Sequence, residues 1–80
     1  MSAEMDSNTR IVDIYVRLLD EGVEVSRPTR AMVLESGLLK VLPTPSYDPN
    51  DETWEFPPGA IVRGEKRRDD SGEYLLAVPA

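Results

Sequence analysis

The stretch RIVDIYVRLL, Arg10 to Leu19, decides the fold class of this chain. Apolar residues occupy every second position within it, and charged residues or Tyr15 stand between them. The apolar positions are Val12, Ile14, Val16 and Leu18. This period of two, together with the β-branched content, predicts a strand with one buried face. Asp13 and Arg17 are four residues apart, as partners on a helix would be, but the alternation favours the strand.

Turn-forming residues divide the rest of the chain into further short strands. These strands are predicted at residues 25–34, 38–42, 54–56, 60–67 and 73–78. The turns between strands are predicted at 20–22, 35–37, 57–59 and 69–72. Pro28 has no N–H to donate, so its strand should begin there or lie on an edge of the sheet. Gly64 lies inside its strand, which favours a bulge or a sharp bend at that point.

Short strands at this regular spacing predict an all-β fold, a small barrel of five to six strands. An SH3-like barrel is preferred over an OB-like one, because the OB topology normally includes a helix and no segment is free to form it. Residues 10–80 should make one small domain. Residues 1–9 have no apolar period and are predicted to be a flexible tail. Residues 43–53 form an acidic, proline-containing loop.

Composition narrows the class of protein further. The 80 residues carry a net charge of −6 and include neither Cys nor His. Without Cys there is no disulfide, which favours a cytoplasmic protein over a secreted one. The N-terminal residues do not resemble a signal peptide, and no apolar run approaches the ~20 residues that span a bilayer. We therefore expect no association with membranes.

Catalytic and metal-binding patterns are weak in this sequence. General acid–base and nucleophilic catalysis most often use His or Cys, so we expect a protein that is not an enzyme and that holds no cofactor. Asp48, Asn50 and Glu52 alternate as ligands do at the start of an EF-hand loop. The pattern then breaks, because Thr53 stands where Gly is needed and Gly59 where Glu is needed. No metal site is predicted.

Binding to another protein is the function that the sequence favours. Trp54 is the only Trp, and it follows the acidic loop directly. Packing in the core is one interpretation of Trp54; the other is a surface anchor with a polar rim, as interface hot spots have. The second interpretation predicts a protein-binding patch consisting of Tyr47, Asp51, Glu52 and Trp54.

Nucleic-acid binding is the alternative function. It would use a local basic patch consisting of Arg63, Lys66, Arg67 and Arg68. The net negative charge disfavours this alternative, because nucleic acid is repelled by an acidic protein at long range. Pairing between copies of the chain is a further possibility, through an exposed edge strand such as residues 38–42 or 73–78.

Two segments carry a resemblance to a known group of proteins. LLDEGVEVSRPTRA, residues 18–31, and WEFPPGAIVRGE, residues 54–65, together cover about a third of the chain. They resemble a family of small bacterial proteins with LLDEGxxVxRPxxA and WxFxPGxxVR segments and no assigned activity. The resemblance implies a compact bacterial β-domain. Ser26 stands where that family has a second Trp. Arg27 could tie the acidic loop to the barrel by a charge-assisted hydrogen bond.

Overall fold

The computed structural model describes residues 10–80, which form six β-strands and no helix. The strands are β1 (Arg10–Leu19), β2 (Val25–Val33), β3 (Leu39–Val41), β4 (Thr53–Trp54), β5 (Ile61–Asp69) and β6 (Gly72–Pro79). Among residues 10–80 there is therefore no helix long and apolar enough to cross a bilayer. The tail predicted at residues 1–9 lies outside the described residues.

Five of the strands close into a barrel in the order β1, β2, β3, β5, β6. Neighbouring strands are antiparallel except at the closure, where β6 runs parallel to β1 and Tyr15 lies opposite Leu76. The short β4 pairs with the end of β1. The prediction of a small all-β barrel is confirmed.

The barrel core follows from the alternation in β1. Ile14 and Val16 are 0% exposed, whereas Tyr15 between them is 36% exposed. Burying an aliphatic side chain of this size contributes about 1.5–3 kcal/mol, so β1 is a main source of stability. The other strands complete the core with Ala31, Leu39, Val41, Trp54, Val62 and Ala77.

Pro28 lies in the middle of β2 rather than at its start, and it is tolerated because this part of the strand is an edge. The carbonyl of Arg30 accepts from the N–H of Leu42, so even-numbered residues of β2 direct their polar backbone groups away from β1. β3 pairs only with residues 31–33 of β2. The missing N–H of Pro28 therefore faces no neighbouring strand, as its edge prediction requires.

Gly64 does not mark a bulge, so this part of the prediction was wrong, while the alternative of a sharp bend stays a prediction. The register from Val62↔Pro79 to Asp69↔Gly72 advances without a break, with Gly64 opposite Ala77. A Cβ placed on Gly64 would lie 3.1 Å from Cδ1 of Leu39. The buried Leu39 side chain therefore packs closely on the backbone of β5 at Gly64, and a Cβ would fit only if this side chain shifted by a few tenths of an ångström.

The far end of the β5–β6 hairpin extends beyond the barrel. Residues 63–69 are all exposed, and β3 pairs only with Ile61 and Val62 of β5. We call residues 63–75 the hairpin arm. By contrast, residues 38–42, predicted as an exposed edge, include β3, which pairs with β2 on one side and β5 on the other. That prediction was wrong, because β3 closes the barrel. Residues 73–78, the other predicted edge, lie in β6, which pairs with β5 along its length and with β1 at Leu76, so this prediction was wrong as well.

Candidate functional site

The acidic loop is fastened to the barrel by a chain of polar contacts. Nη2 of Arg27 on β2 donates to Oε2 of Glu52, with which it also forms an ion pair. Nε1 of Trp54 donates to Oε1 of the same carboxylate at 2.9 Å. Arg27 thus ties the loop to the barrel, as the sequence predicted. Both oxygens of Glu52 are occupied by donors from the protein itself.

Backbone turns order the same loop from within. The N–H of Tyr47 donates to the carbonyl of Thr44 at 3.1 Å. Those of Asp51 and Glu52 donate to the carbonyl of Asp48 at 3.0 and 3.1 Å. Oδ1 of Asp48 also accepts from the N–H of Asn50 at 2.9 Å. These bonds use local groups that a metal ion or a ligand would otherwise need.

Trp54 belongs to the core, which confirms the first of its two interpretations. It is 4% exposed and lies opposite Leu18 where β4 pairs with β1. Tyr47 packs against it edge to face, with ring centroids 4.7 Å apart. The indole therefore closes one end of the barrel, and its single donor is satisfied by Glu52.

The electrostatics of Glu52 agree with a structural role. Hydrogen bonds from Arg27 and Trp54 lower the pKa of Glu52 below its ordinary value of 4.5, against a smaller opposing effect of desolvation. A carboxylate held ionised by fixed donors is poorly suited to exchange protons near neutral pH. Of the four residues predicted to bind a protein, Tyr47, Glu52 and Trp54 come together as this anchor, while Asp51 lies exposed in the turn.

The four predicted basic residues lie on the hairpin arm but do not form one patch. The side chains of Lys66 and Arg68 lie on the same face of β5 as Val62, whereas those of Arg63 and Arg67 lie on the opposite face. Arg67 pairs with Glu65 at 3.0 Å. Arg68 pairs with Glu73 at 3.2 Å in the same way. Nearby carboxylates thus neutralise half of the set.

The outer face of the barrel carries an aromatic pair that the sequence analysis did not select. Tyr15 on β1 and Tyr74 on β6 meet edge to face, with centroids 5.2 Å apart. Leu76 lies opposite Tyr15, and it is buried to 3% exposure although it lies outside the main core. Strand parity was the available signal for Tyr15, which it places on an outward position, whereas β6 has apolar residues at both parities and so gave no such signal for Tyr74. The partner strand, however, could not be inferred from it.

Two open depressions meet at Tyr15. One, of about 480 Å³, lies between β1 and the hairpin arm and is lined by Lys66, Glu73 and Tyr74 among others. The second, of about 710 Å³, lies toward Pro28 and the start of the acidic loop. Asp13 and Tyr15 line both depressions. We call Asp13, Tyr15, Lys66, Glu73 and Tyr74 the tyrosine surface.

Within residues 10–80 no three acidic side chains converge as the ligands of a metal ion would. Comparison with protein-family models, with curated proteins and with solved structures gave no match. The resemblance to the bacterial family with LLDEGxxVxRPxxA and WxFxPGxxVR segments therefore stays a prediction. The choice between SH3-like and OB-like topology stays one as well.

Proposed function

We propose that this chain is a non-enzymatic module that binds another protein through the tyrosine surface. The observation that carries the proposal is the exposed Tyr15, which packs edge to face on the half-buried Tyr74 and lines two open depressions. Tyr supplies rigid apolar area together with a hydroxyl, and it is enriched where proteins bind one another. Charged side chains of both signs surround the pair, which is the composition of an interface rim.

The contrast with the acidic loop supports this choice of surface. Trp54 is buried and Glu52 has both oxygens occupied, so neither offers a group to a partner. Tyr15 is exposed, and Asp13 beside it has a side chain that is 93% exposed. A partner of matching chemistry is a segment with one apolar side chain, flanked by charges, that covers the ring of Tyr15.

The proposal that the module is not an enzyme rests on its side chains. The chain has no His and no Cys, and Glu52, whose pKa is shifted, is shifted toward the ionised form. The two depressions are open to solvent and include no enclosed set of convergent polar groups. The proposed SH3-like topology and cytoplasmic location are supported by the absence of a helix in residues 10–80 and by the lack of Cys.

The experiment that tests this function is a selection of binding peptides from a random library, followed by titration. Selected peptides are titrated into the wild type and into Tyr15→Thr and Tyr74→Thr, in which Thr preserves the strand. We expect both substitutions to weaken binding roughly tenfold or more, as loss of a hot-spot side chain does. The matched control is Val23→Thr, at an apolar residue that is 72% exposed in the β1–β2 turn.

The control distinguishes binding at the tyrosine surface from binding at another exposed apolar residue. Val23→Thr should bind as the wild type does, and all three variants should unfold at nearly the wild-type temperature. A library that yields no binder, or binders that ignore both Tyr substitutions, would contradict the proposal. Trp54→Ala is unsuitable for this test, because a loss of binding would follow from damage to the core.

Nucleic-acid binding through Arg63, Lys66, Arg67 and Arg68 remains the second proposal. It is supported by Arg63 and Lys66, which have no ion-pair partner among the described residues. Titration of a short single strand and a short duplex at low salt tests it. Binding that fails to weaken steeply as salt rises would contradict a phosphate-based contact.

A further inference from the structure

The outer edge of β5 is open over the length of the hairpin arm. β3 pairs only with Ile61 and Val62, so no described residue pairs with residues 63–69 on that side. The carbonyl of Ala60 accepts from Val41 on β3, which shows that even-numbered residues of β5 direct their backbone groups toward this side. The N–H and C=O groups of Gly64, Lys66 and Arg68 therefore face outward along one line.

This edge lacks two of the devices that prevent strand pairing. The open part of β2 contains Pro28, whereas residues 63–69 contain no Pro, and their register with β6 is free of bulges. Edge strands are usually blunted by Pro, by bulges or by charges. Here only the charges remain, and their order is self-complementary.

We propose that this edge pairs antiparallel with the same edge of a second copy, about a two-fold axis at Lys66. Gly64, Lys66 and Arg68 are then the hydrogen-bonded positions, because the axis lies at an outward-directed residue. Arg63 then lies opposite Asp69 of the second copy, and Glu65 lies opposite Arg67. Since the interface is isologous, each of these contacts occurs twice, which gives four pairs of opposite charge.

The groups that the second copy would meet are available. Arg63 and Asp69 form no ion pair with any described residue, and all residues from 63 to 69 are exposed. Oδ1 of Asp69 accepts from the N–H of Ser71 at 2.8 Å, which leaves Oδ2 to face Arg63 of the second copy. The Arg67–Glu65 pair lies along one strand between half-exposed side chains, so breaking or sharing it costs little. Opposite charges in directly facing positions stabilise a strand pair by about 0.2–1 kcal/mol each.

Neighbouring registers are disfavoured by the same charges. An axis at Glu65 would set Glu65 opposite itself and Arg63 opposite Arg67. An axis at Arg67 would set Arg67 opposite itself and Glu65 opposite Asp69. The Lys66 axis has one unfavourable contact, Lys66 opposite itself. That contact falls at a hydrogen-bonded pair, where Cα atoms are about 5.5 Å apart and long side chains diverge.

The contact is an edge only, so the dimer is weak and depends on concentration. It leaves Tyr15 and Tyr74 accessible, because they face each other on the β6 side of the arm while the second copy joins on the β5 side; of the tyrosine surface only Lys66 takes part in both contacts. Failure of self-pairing would therefore leave the proposed protein-binding function intact.

The experiment is a charge exchange measured by sedimentation equilibrium. Glu65→Arg makes both residues 65 and 67 basic, so two such chains repel each other at both facing 65–67 pairs, while the two Arg63–Asp69 pairs are unchanged. Arg67→Glu makes them both acidic, with the same result. Each variant alone should dissociate roughly tenfold or more readily than the wild type. An equimolar mixture should associate again, because each basic arm then faces an acidic one.

Two controls make the result decisive. Glu35→Arg, a charge reversal in the exposed β2–β3 turn, should dimerise as the wild type does. Lys66→Thr removes the one like-charge contact and should tighten the dimer. A wild type that is monomeric up to about 1 mM overturns the proposal, since weak interfaces associate in that range. So do single variants that still dimerise, or a mixture that does not.

Discussion

The two long hairpins of this barrel have nearly the same backbone, but the first packs around the core and the second largely projects from it. β1 and β2 pair from Arg10↔Val33 to Leu18↔Val25, and β5 and β6 pair from Val62↔Pro79 to Asp69↔Gly72. The first hairpin buries a side chain at every second position of β1 from Ile14 to Leu18. In β5 only Val62 is buried, and the rest of the strand projects as the hairpin arm.

This difference shows that strand pairing and core formation are separate requirements. RGEKRRD, residues 63–69, has no apolar residue at either parity, so neither side of the strand can enter the core. The backbone hydrogen bonds to β6 form nevertheless. The apolar pattern therefore decides where the barrel ends, and the turn at residues 69–72 decides only where the strands reverse.

Trp54→Ala should lower the free energy of unfolding more than any other substitution proposed here, because Trp54 packs at the barrel end of β1. Removal of a large aromatic side chain from a core costs about 3–5 kcal/mol, which is a large part of the stability of a domain this small. Urea unfolding followed by circular dichroism measures the loss. The control is Tyr74→Ala on the arm, which should cost clearly less; an equal cost would show that the arm is packed as tightly as the barrel.

Gly64→Val tests the junction where the arm leaves the barrel. The first added carbon would lie 3.1 Å from Cδ1 of Leu39, and a branched side chain must displace that buried residue further. Overpacking of this kind costs about 1–3 kcal/mol in unfolding free energy. Gly64→Ala should cost less, because Ala also restricts the unfolded chain. A neutral Gly64→Val would contradict the close packing of Leu39 on β5.

The fold was largely predictable from the sequence because it depends on local alternation and on turn residues. Val12 to Leu18 and the Gly-containing turns were sufficient to place the strands. Gly64 was misinterpreted, because a bulge and a close approach of another strand give the same local signal. Only the position of Leu39 in three dimensions distinguishes them. Likewise, the open edge lies on β5 rather than on β3. This could not be predicted, because strand order depends on which distant segments pair.

The candidate site was less predictable, because exposure depends on which strands become neighbours. Trp54 and Tyr15 are both aromatic residues in strands beside charged ones, so composition alone ranked Trp54 first. The structure buries Trp54 beneath Tyr47 and leaves Tyr15 on the outer face. Contact of Tyr15 with Tyr74 requires the parallel β1–β6 closure, which joins the first and the last strand of the described chain.

Glu52→Gln tests, through the pH dependence of stability, the carboxylate that fastens the acidic loop to the barrel. The hairpin arm has no such anchor. The pKa of Glu52 is lowered in the folded state, so ionised Glu52 stabilises the fold above its ordinary pKa of 4.5. That stabilisation is lost as the pH falls through the lowered value. The wild type should therefore exceed Glu52→Gln in unfolding free energy near pH 7, and the difference should shrink on acidification. A difference that stays constant with pH would contradict the ionic role.

Arg67→Glu should have the smallest effect on the free energy of unfolding. Arg67 is half-exposed on the arm, and its pair with Glu65 lies at the surface, where ion pairs contribute about 0–1 kcal/mol. Thermal unfolding at low protein concentration should show a free energy within about 0.5 kcal/mol of the wild type. At high concentration the wild type alone should gain stability, because dimerisation favours the folded state by mass action. Arg67→Glu isolates that gain, because it changes how two arms face each other and leaves the barrel core untouched.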